Sequence, residues 1–110
     1  MGTDQTIVGE YLEHALGDAQ RLEFTDELTI YGAAEAHRRV LAALAAGGPL
    51  ELDLGEVGEL DSAGVQLLLA LERECAAQAR ELRVTAISPA AREVLTLLNL
   101  PRFAALADAA

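Results

Sequence analysis

A two-layer α/β sandwich, with a largely parallel sheet and helices mainly on one of its faces, is the fold class the sequence predicts. Strand-like and helix-like segments alternate along most of the chain, and strands joined through helices pair in parallel by right-handed crossovers. The two clearest strands, residues 50–54 (LELDL) and 81–87 (ELRVTAI), alternate apolar with polar side chains. One sheet face is therefore dry and the other at least partly wet. Doubly wound sheets are covered on both faces, and their strands read as continuous apolar runs; this chain has none.

Taken in order, residues 6–16 (TIVGEYLEHAL) place Ile7, Val8, Tyr11, Leu12, Ala15 and Leu16 at helical spacing. Thr6 suits an N-cap and Gly17 a left-handed end. Gly9 weakens the pattern, and an extended segment at residues 6–8 is the alternative. The period then changes. Residues 21–24 alternate as a strand, Thr25-Asp26 reads as a turn, and residues 27–31 resume an extended pattern. Residues 33–46, rich in alanine and leucine, predict a helix. Ala36, Val40, Leu41 and Leu44 form its apolar stripe, and Gly47-Gly48-Pro49 stops it.

The strand at residues 50–54 is followed by an expected loop over 55–60. A second long helix is expected over residues 64–80. Val65, Leu68, Leu69 and Cys75 mark its buried side, and Gln66, Arg73, Gln78 and Arg80 its wet side. After the strand at 81–87, Ser88-Pro89 is a helix-start pair, serine as N-cap and proline in the first turn. The helix over 89–98 ends at Asn99-Leu100-Pro101. The last residues predict a brief strand at 103–106 or a frayed helix. The organisation is a helical or irregular extension over residues 1–19 and one domain over 20–110.

Composition excludes several function classes. The chain has 110 residues, 52% of them hydrophobic, enough for one core. Eighteen acids oppose eight bases, all arginine, for a net charge of −10. Such a body repels phosphate backbones and anionic headgroups, so no nucleic-acid partner is expected. No apolar run reaches the roughly 18–20 residues that span a bilayer, so no direct membrane insertion is expected. The start of the chain has neither a basic nor an apolar leader pattern, and a cytoplasmic location is the expectation. Cys75 is the single cysteine, with no intramolecular partner. Leu71 and Ala79 lie four residues to either side of it, and the reading is a small core residue. His14 and His37 have no second ligand at metal spacing, so neither metal nor cofactor is expected. Asp53 reads as part of a solvated strand face. Nucleotide-binding and nucleophile-elbow glycine motifs are absent. Asp61 alone is a poor base for a Ser62 nucleophile, so the chain is not expected to be an enzyme.

The informative stretch is Glu59-Leu60-Asp61-Ser62-Ala63-Gly64-Val65. It joins a strand to a helical stripe, which puts Ser62 near the helix N-cap. One reading is purely structural: the serine oxygen satisfies an orphan backbone N–H. The other makes Ser62 an exposed hydroxyl at a positive helix end, where a phosphate meets N–H groups and a favourable dipole. It would add roughly −1.5 to −2 charges to an edge already holding Glu56, Glu59 and Asp61.

The segment LELDLGEVGELDSAGVQLLLAL resembles the signature of STAS domains: a strand, a short connection, then Asp-Ser/Thr-x-Gly opening an apolar helix. FTDELTIYGAAEAHRRVLAAL resembles the family's upstream strand–turn–helix unit, and ELRVTAISPAAREVLTLLNL its downstream strand and helix. The likeness covers about residues 20–100. It implies a four- or five-stranded, mostly parallel sheet backed by helices on one side. It also implies the partner switching of anti-sigma-factor antagonists, with Ser62 as phosphoacceptor for a cognate kinase/anti-sigma factor. Thr29, Ile30, Tyr31, Gly32, Asp61, Ser62, Ala63, Gly64 and Gln66 would form the partner-binding edge, with Gly64 letting the backbone turn tightly into the helix. The chain departs from the family pattern in three places. The family often has an acid where Thr29 stands, a glycine where Asp26 stands, and a second hydroxyl where Ala63 stands. STAS proteins with Asp-Ser/Thr-Ala-Gly also accompany chemotaxis kinases or serve as non-catalytic subunits of lipid-transport ATP-binding complexes. The implied partner is thus a signalling kinase or a transport ATPase. Binding of a nucleotide or other small ligand is a further option.

Overall fold

In the computed structural model, which describes residues 19–109, three strands form one parallel sheet in the order β1-β2-β3. They are β1 (Gln20–Leu28), β2 (Leu50–Leu60) and β3 (Leu82–Ile87). A 3₁₀ turn (Ile30–Gly32) and α1 (Ala33–Ala46) connect β1 to β2, and α2 (Ser62–Ala77) connects β2 to β3. Then follow α3 (Pro89–Leu97) and α4 (Arg102–Ala109). The helix expected over residues 6–16 lies outside the described residues, and so does His14.

Both crossovers step in the same direction across the sheet. Connections of one hand then fall on one face, and α1 and α2 do pack against each other. The dry face carries Leu22, Phe24 and Leu28 from β1, Leu50, Leu52 and Leu54 from β2, and Val84 from β3. The opposite face is charged. Arg21 pairs with Asp53 at 2.7 Å, and Arg83 bridges to Glu51 at 3.6 Å and Glu81 at 3.0 Å. The sandwich therefore has two layers, as the alternation predicts. It has three strands among the described residues rather than four or five.

Two expected boundaries are corrected by bulges. Residue 20 of β1 faces residue 50 of β2, residue 25 faces 56, and residue 28 faces 60. Twice, then, β2 carries one residue more than its neighbour. Its buried positions consequently run Leu50, Leu52, Leu54, Val57, Leu60. The period lengthens from two to three, which made residues 55–60 look like a loop when they continue the strand. On β1, Asp26 has φ +61°. The expected turn at Thr25-Asp26 is a kink within one strand, and Tyr31 belongs to the 3₁₀ turn rather than to an extended segment.

The helices pack as their stripes predict, with exceptions. Leu41 points outward, and Ala36, Val40 and Ala43 form the buried side of α1. In α2, Leu71 joins Val65, Leu68 and Cys75 in the core. Burial raises the Cys75 thiol pKa, in keeping with an inert core role. Arg80, expected on the wet side of the second long helix, lies beyond its end and is half-buried. Ser88 caps α3 through Ala91 N–H at 3.0 Å and also donates to the Val57 carbonyl. The C-terminal segment is a helix, not a strand. Its Phe103 is fully buried, which anchors α4 to β3.

Candidate partner-binding edge

Parallel strands bring their carboxyl ends to one edge, and the Leu28–Leu60 pairing places the exits of β1 and β2 side by side. The chain leaves β1 into the 3₁₀ turn and leaves β2 directly into α2. Asp61 stands between them in an extended conformation (φ −112°, ψ −175°), which is N-cap geometry. Its Oδ1 accepts from Gly64 N–H at 3.0 Å, and its Oδ2 accepts from Ile30 N–H at 3.0 Å. Its own N–H points to the Leu28 carbonyl at 3.4 Å. The Ile30 amide, then the Gly64 amide, hold the Asp61 carboxyl below the usual 3.8, so it is ionised at neutral pH.

Asp61, not Ser62, is therefore the N-cap. Its carboxylate reaches two N–H groups on different segments, which a serine hydroxyl is too short to do. Ser62 falls on the first helical residue and is exposed. The hydroxyl takes no part in capping, and it lies at the surface within one residue of a fixed anion.

The neighbouring turn is built by Thr29. Its buried hydroxyl accepts from Tyr31 N–H at 3.4 Å and donates to Glu27 Oε1 at 3.1 Å. The result is a tight turn that lifts two large side chains into solvent, Ile30 at 63% and Tyr31 at 91% exposure. Gln66 is exposed one turn along α2, Ala63 is half-buried, and Gly32 leads into α1. Gly64 is buried, and its role differs from the one expected. A Cβ there would lie 2.0 Å from the Leu28 carbonyl oxygen. The glycine does not bend the chain; it lets the first turn of α2 press against the end of β1.

Two open depressions flank this edge. One is lined by Thr29, Tyr31, Leu60, Asp61, Glu93 and Val94. The other lies between α1 and α2, with Ile30, Ala34, His37, Ala63, Gln66 and Leu67. The α3 wall of the first, with Glu93 and Val94, escaped the sequence reading. Helical periodicity says which side of α3 is buried, not which loop its rim faces. Among the described residues no group of three His, Cys, Asp or Glu side chains could hold a metal ion. No helix among them is long and apolar enough to cross a membrane. Both Asp61 oxygens are engaged by backbone amides, which leaves it a poor base for Ser62. The edge offers two exposed apolar side chains, a hydroxyl and an acidic rim, which suits macromolecular contact.

A family model described as "Mlab, STAS domain" matches residues 13–107. Among solved structures, the anti-sigma-factor antagonist SpoIIAA in its unphosphorylated form is similar in fold, with a TM-score of 0.66. That likeness covers 78% of this chain and 76% of SpoIIAA at 22% identity. No curated protein sequence matches.

Proposed function

The chain belongs to the STAS-domain family, and on that premise we propose that it is a non-catalytic regulatory module whose docking is switched at Ser62. The partner is a signalling protein of the kinase/anti-sigma or chemotaxis type. It docks on residues 29–32 together with the Asp61–Ser62 corner and Gln66. The observation that carries the reading is the exposure of Ser62 beside Ile30 and Tyr31, on a corner whose backbone is pinned by Asp61. Transfer of the γ-phosphoryl group of ATP to Ser62 Oγ, releasing ADP and the hydroxyl proton, puts a dianion in the middle of that surface. Desolvating it against an already acidic edge costs several kcal/mol of docking energy.

The test is to tag the chain in its host, identify the co-purifying ATPase or kinase, and titrate that partner against three proteins. Wild type and Ser62→Ala are expected to bind alike, with Ser62→Asp at least about tenfold weaker. Equal affinity for all three, with no phosphate on Ser62 by mass spectrometry, ends the switch. A second reading draws on the acidic company of Ser62, where Asp61 already fills the helix N-terminus that a phosphate would use. In it the chain is a constitutive STAS subunit of a lipid-transport ATP-binding complex. It is recognised by stoichiometric co-purification of a transport ATPase that ignores Ser62→Asp.

A further inference from the structure

We propose that Asp61 is a positioning residue that couples position 62 to the docking turn: one carboxylate holds both the N-terminus of α2 and the Ile30–Gly32 turn, and an anion on Ser62 unlatches the turn. The inference rests on the docking role proposed above and adds the route by which charge at Ser62 reaches Ile30 and Tyr31.

The turn's other hydrogen bonds are local. Gly32 N–H reaches the Thr29 carbonyl at 3.1 Å, and Tyr31 N–H reaches Thr29 Oγ1 at 3.4 Å. Among the described residues, the hydrogen bond that ties the turn to the start of α2 is Ile30 N–H to Asp61 Oδ2. The second oxygen of the same rigid, planar carboxylate is on Gly64 N–H. The two bonds therefore stand or fall together: swinging Oδ1 off the helix takes Oδ2 off the turn.

Ser62 is the next residue along and shares the helix N-terminus with that carboxylate. A phosphoserine there brings up to two charges and three strong acceptor oxygens to the free amides of the first turn of α2. Asp61 lines the depression shared with Thr29 and Tyr31, where the other charged groups are Glu59 on β2 and Glu93 on α3, both acidic, and Glu27 on β1 already takes the Thr29 hydroxyl. Ser62 stands outside that lining, which holds no cation, and the depression on its other side, beside Ala63 and Gln66, offers His37. The newcomer displaces the weaker anion from the helix end, and the turn loses its tie. Modification then both adds charge to the surface and shifts the two large side chains that the turn exposes.

Amide hydrogen exchange on the whole chain, followed by NMR without any partner, tests this. The samples are wild type, protein with genetically encoded phosphoserine at position 62, Asp61→Ser, and Asp61→Ser carrying phosphoserine. A serine at 61 can still cap Gly64 N–H but is too short to reach Ile30. Exchange of the Ile30 amide is expected to quicken about tenfold in Asp61→Ser, the loss of one bond to a charged acceptor, and comparably with phosphoserine. Phosphoserine added to Asp61→Ser should produce no further change, which a merely structural Asp61 would not predict. An Ile30 amide that exchanges at the wild-type rate with phosphoserine present overturns the coupling. Core amides such as Leu52 report whether each protein is folded; if Asp61→Ser is not, Asp61→Asn, with one acceptor oxygen in place of two, replaces it. The two proposals fail separately. Docking toggled by Ser62 with Ile30 unmoved removes the coupling alone, and Ile30 released with docking indifferent to Ser62 removes the proposed function alone.

Discussion

The two ends of the helical layer use the same device for opposite purposes. At one end Arg80 donates to the Gly48, Leu44 and Ala43 carbonyls at 2.7, 2.9 and 3.3 Å, so a cation closes the C-terminus of α1. At the other, Asp61 accepts from Gly64 and Ile30, so an anion closes the N-terminus of α2. Each charge complements a helix dipole and ties a helix end to a distant segment. The surroundings differ. Arg80 is half-buried beside the left-handed Gly47 and Gly48 and displays nothing, whereas Asp61 sits among exposed Ile30, Tyr31 and Ser62. A charged cap is thus a stability element where it only ties backbone to backbone, and also a support for display where large apolar side chains stand exposed beside it.

That contrast can be broken or sharpened in descending order of effect. Gly64→Ala drives a methyl into the Leu28 carbonyl, a backbone atom that cannot swing aside. It should cost about 3 kcal/mol or more of stability by urea denaturation. A smaller loss would mean that α2 is free to slide on β1. Arg80→Ala removes three carbonyl partners and should cost about 2–3 kcal/mol, while partner affinity, measured on the folded protein, stays at the wild-type value. Altered affinity would show that the two ends are not independent. Tyr31→Ala should do the reverse, costing about 2 kcal/mol of partner binding and leaving the urea midpoint nearly unmoved.

The pH dependence separates the ends further. The folded chain holds the Asp61 carboxyl below 3.8 through two amides, so its stabilisation is complete above the unfolded value and is lost as pH falls through the lower folded value. Glu81 and Asp108, held down by Arg83 and Arg92, add to the same acid loss. The stability gap between wild type and Asp61→Asn should therefore narrow on acidification below about pH 4; a constant gap would mean that the cap works without its charge. The smallest effect is expected at Asp26, whose φ of +61° disfavours any residue with a Cβ. Asp26→Gly should change stability by no more than about 1 kcal/mol, in the stabilising direction. Destabilisation would show that the aspartate side chain supports the kink.

Much of this architecture was legible. The alternation at residues 50–54 marked a strand with one dry face, the Ser88-Pro89 pair marked the start of α3, and the Asp-Ser-x-Gly stretch marked the corner that holds Asp61 and Ser62. What failed did so where a neighbour overrides local pattern. Residues 55–60 lose the two-residue period because β2 bulges against β1, and a bulge is a property of two strands, not of one. The cap went to Asp61 rather than Ser62 because both residue types cap helices well, and the choice falls to the residue that can also reach Ile30, 31 positions away. Arg80 looked like a wet helix residue because its carbonyl partners lie more than 30 positions upstream.

The chain's own chemistry determined most of the helix and strand segments, which sheet face is dry, and that an anion and a hydroxyl meet at the start of α2, since periodicity and capping act over a few residues. Tertiary structure alone decided that position 64 must be glycine for want of space, that Asp61 spans two segments, and that Ile30 and Tyr31 stand in solvent beside Ser62. Those are distances between remote parts of the backbone, and they come into being only when the strands pair.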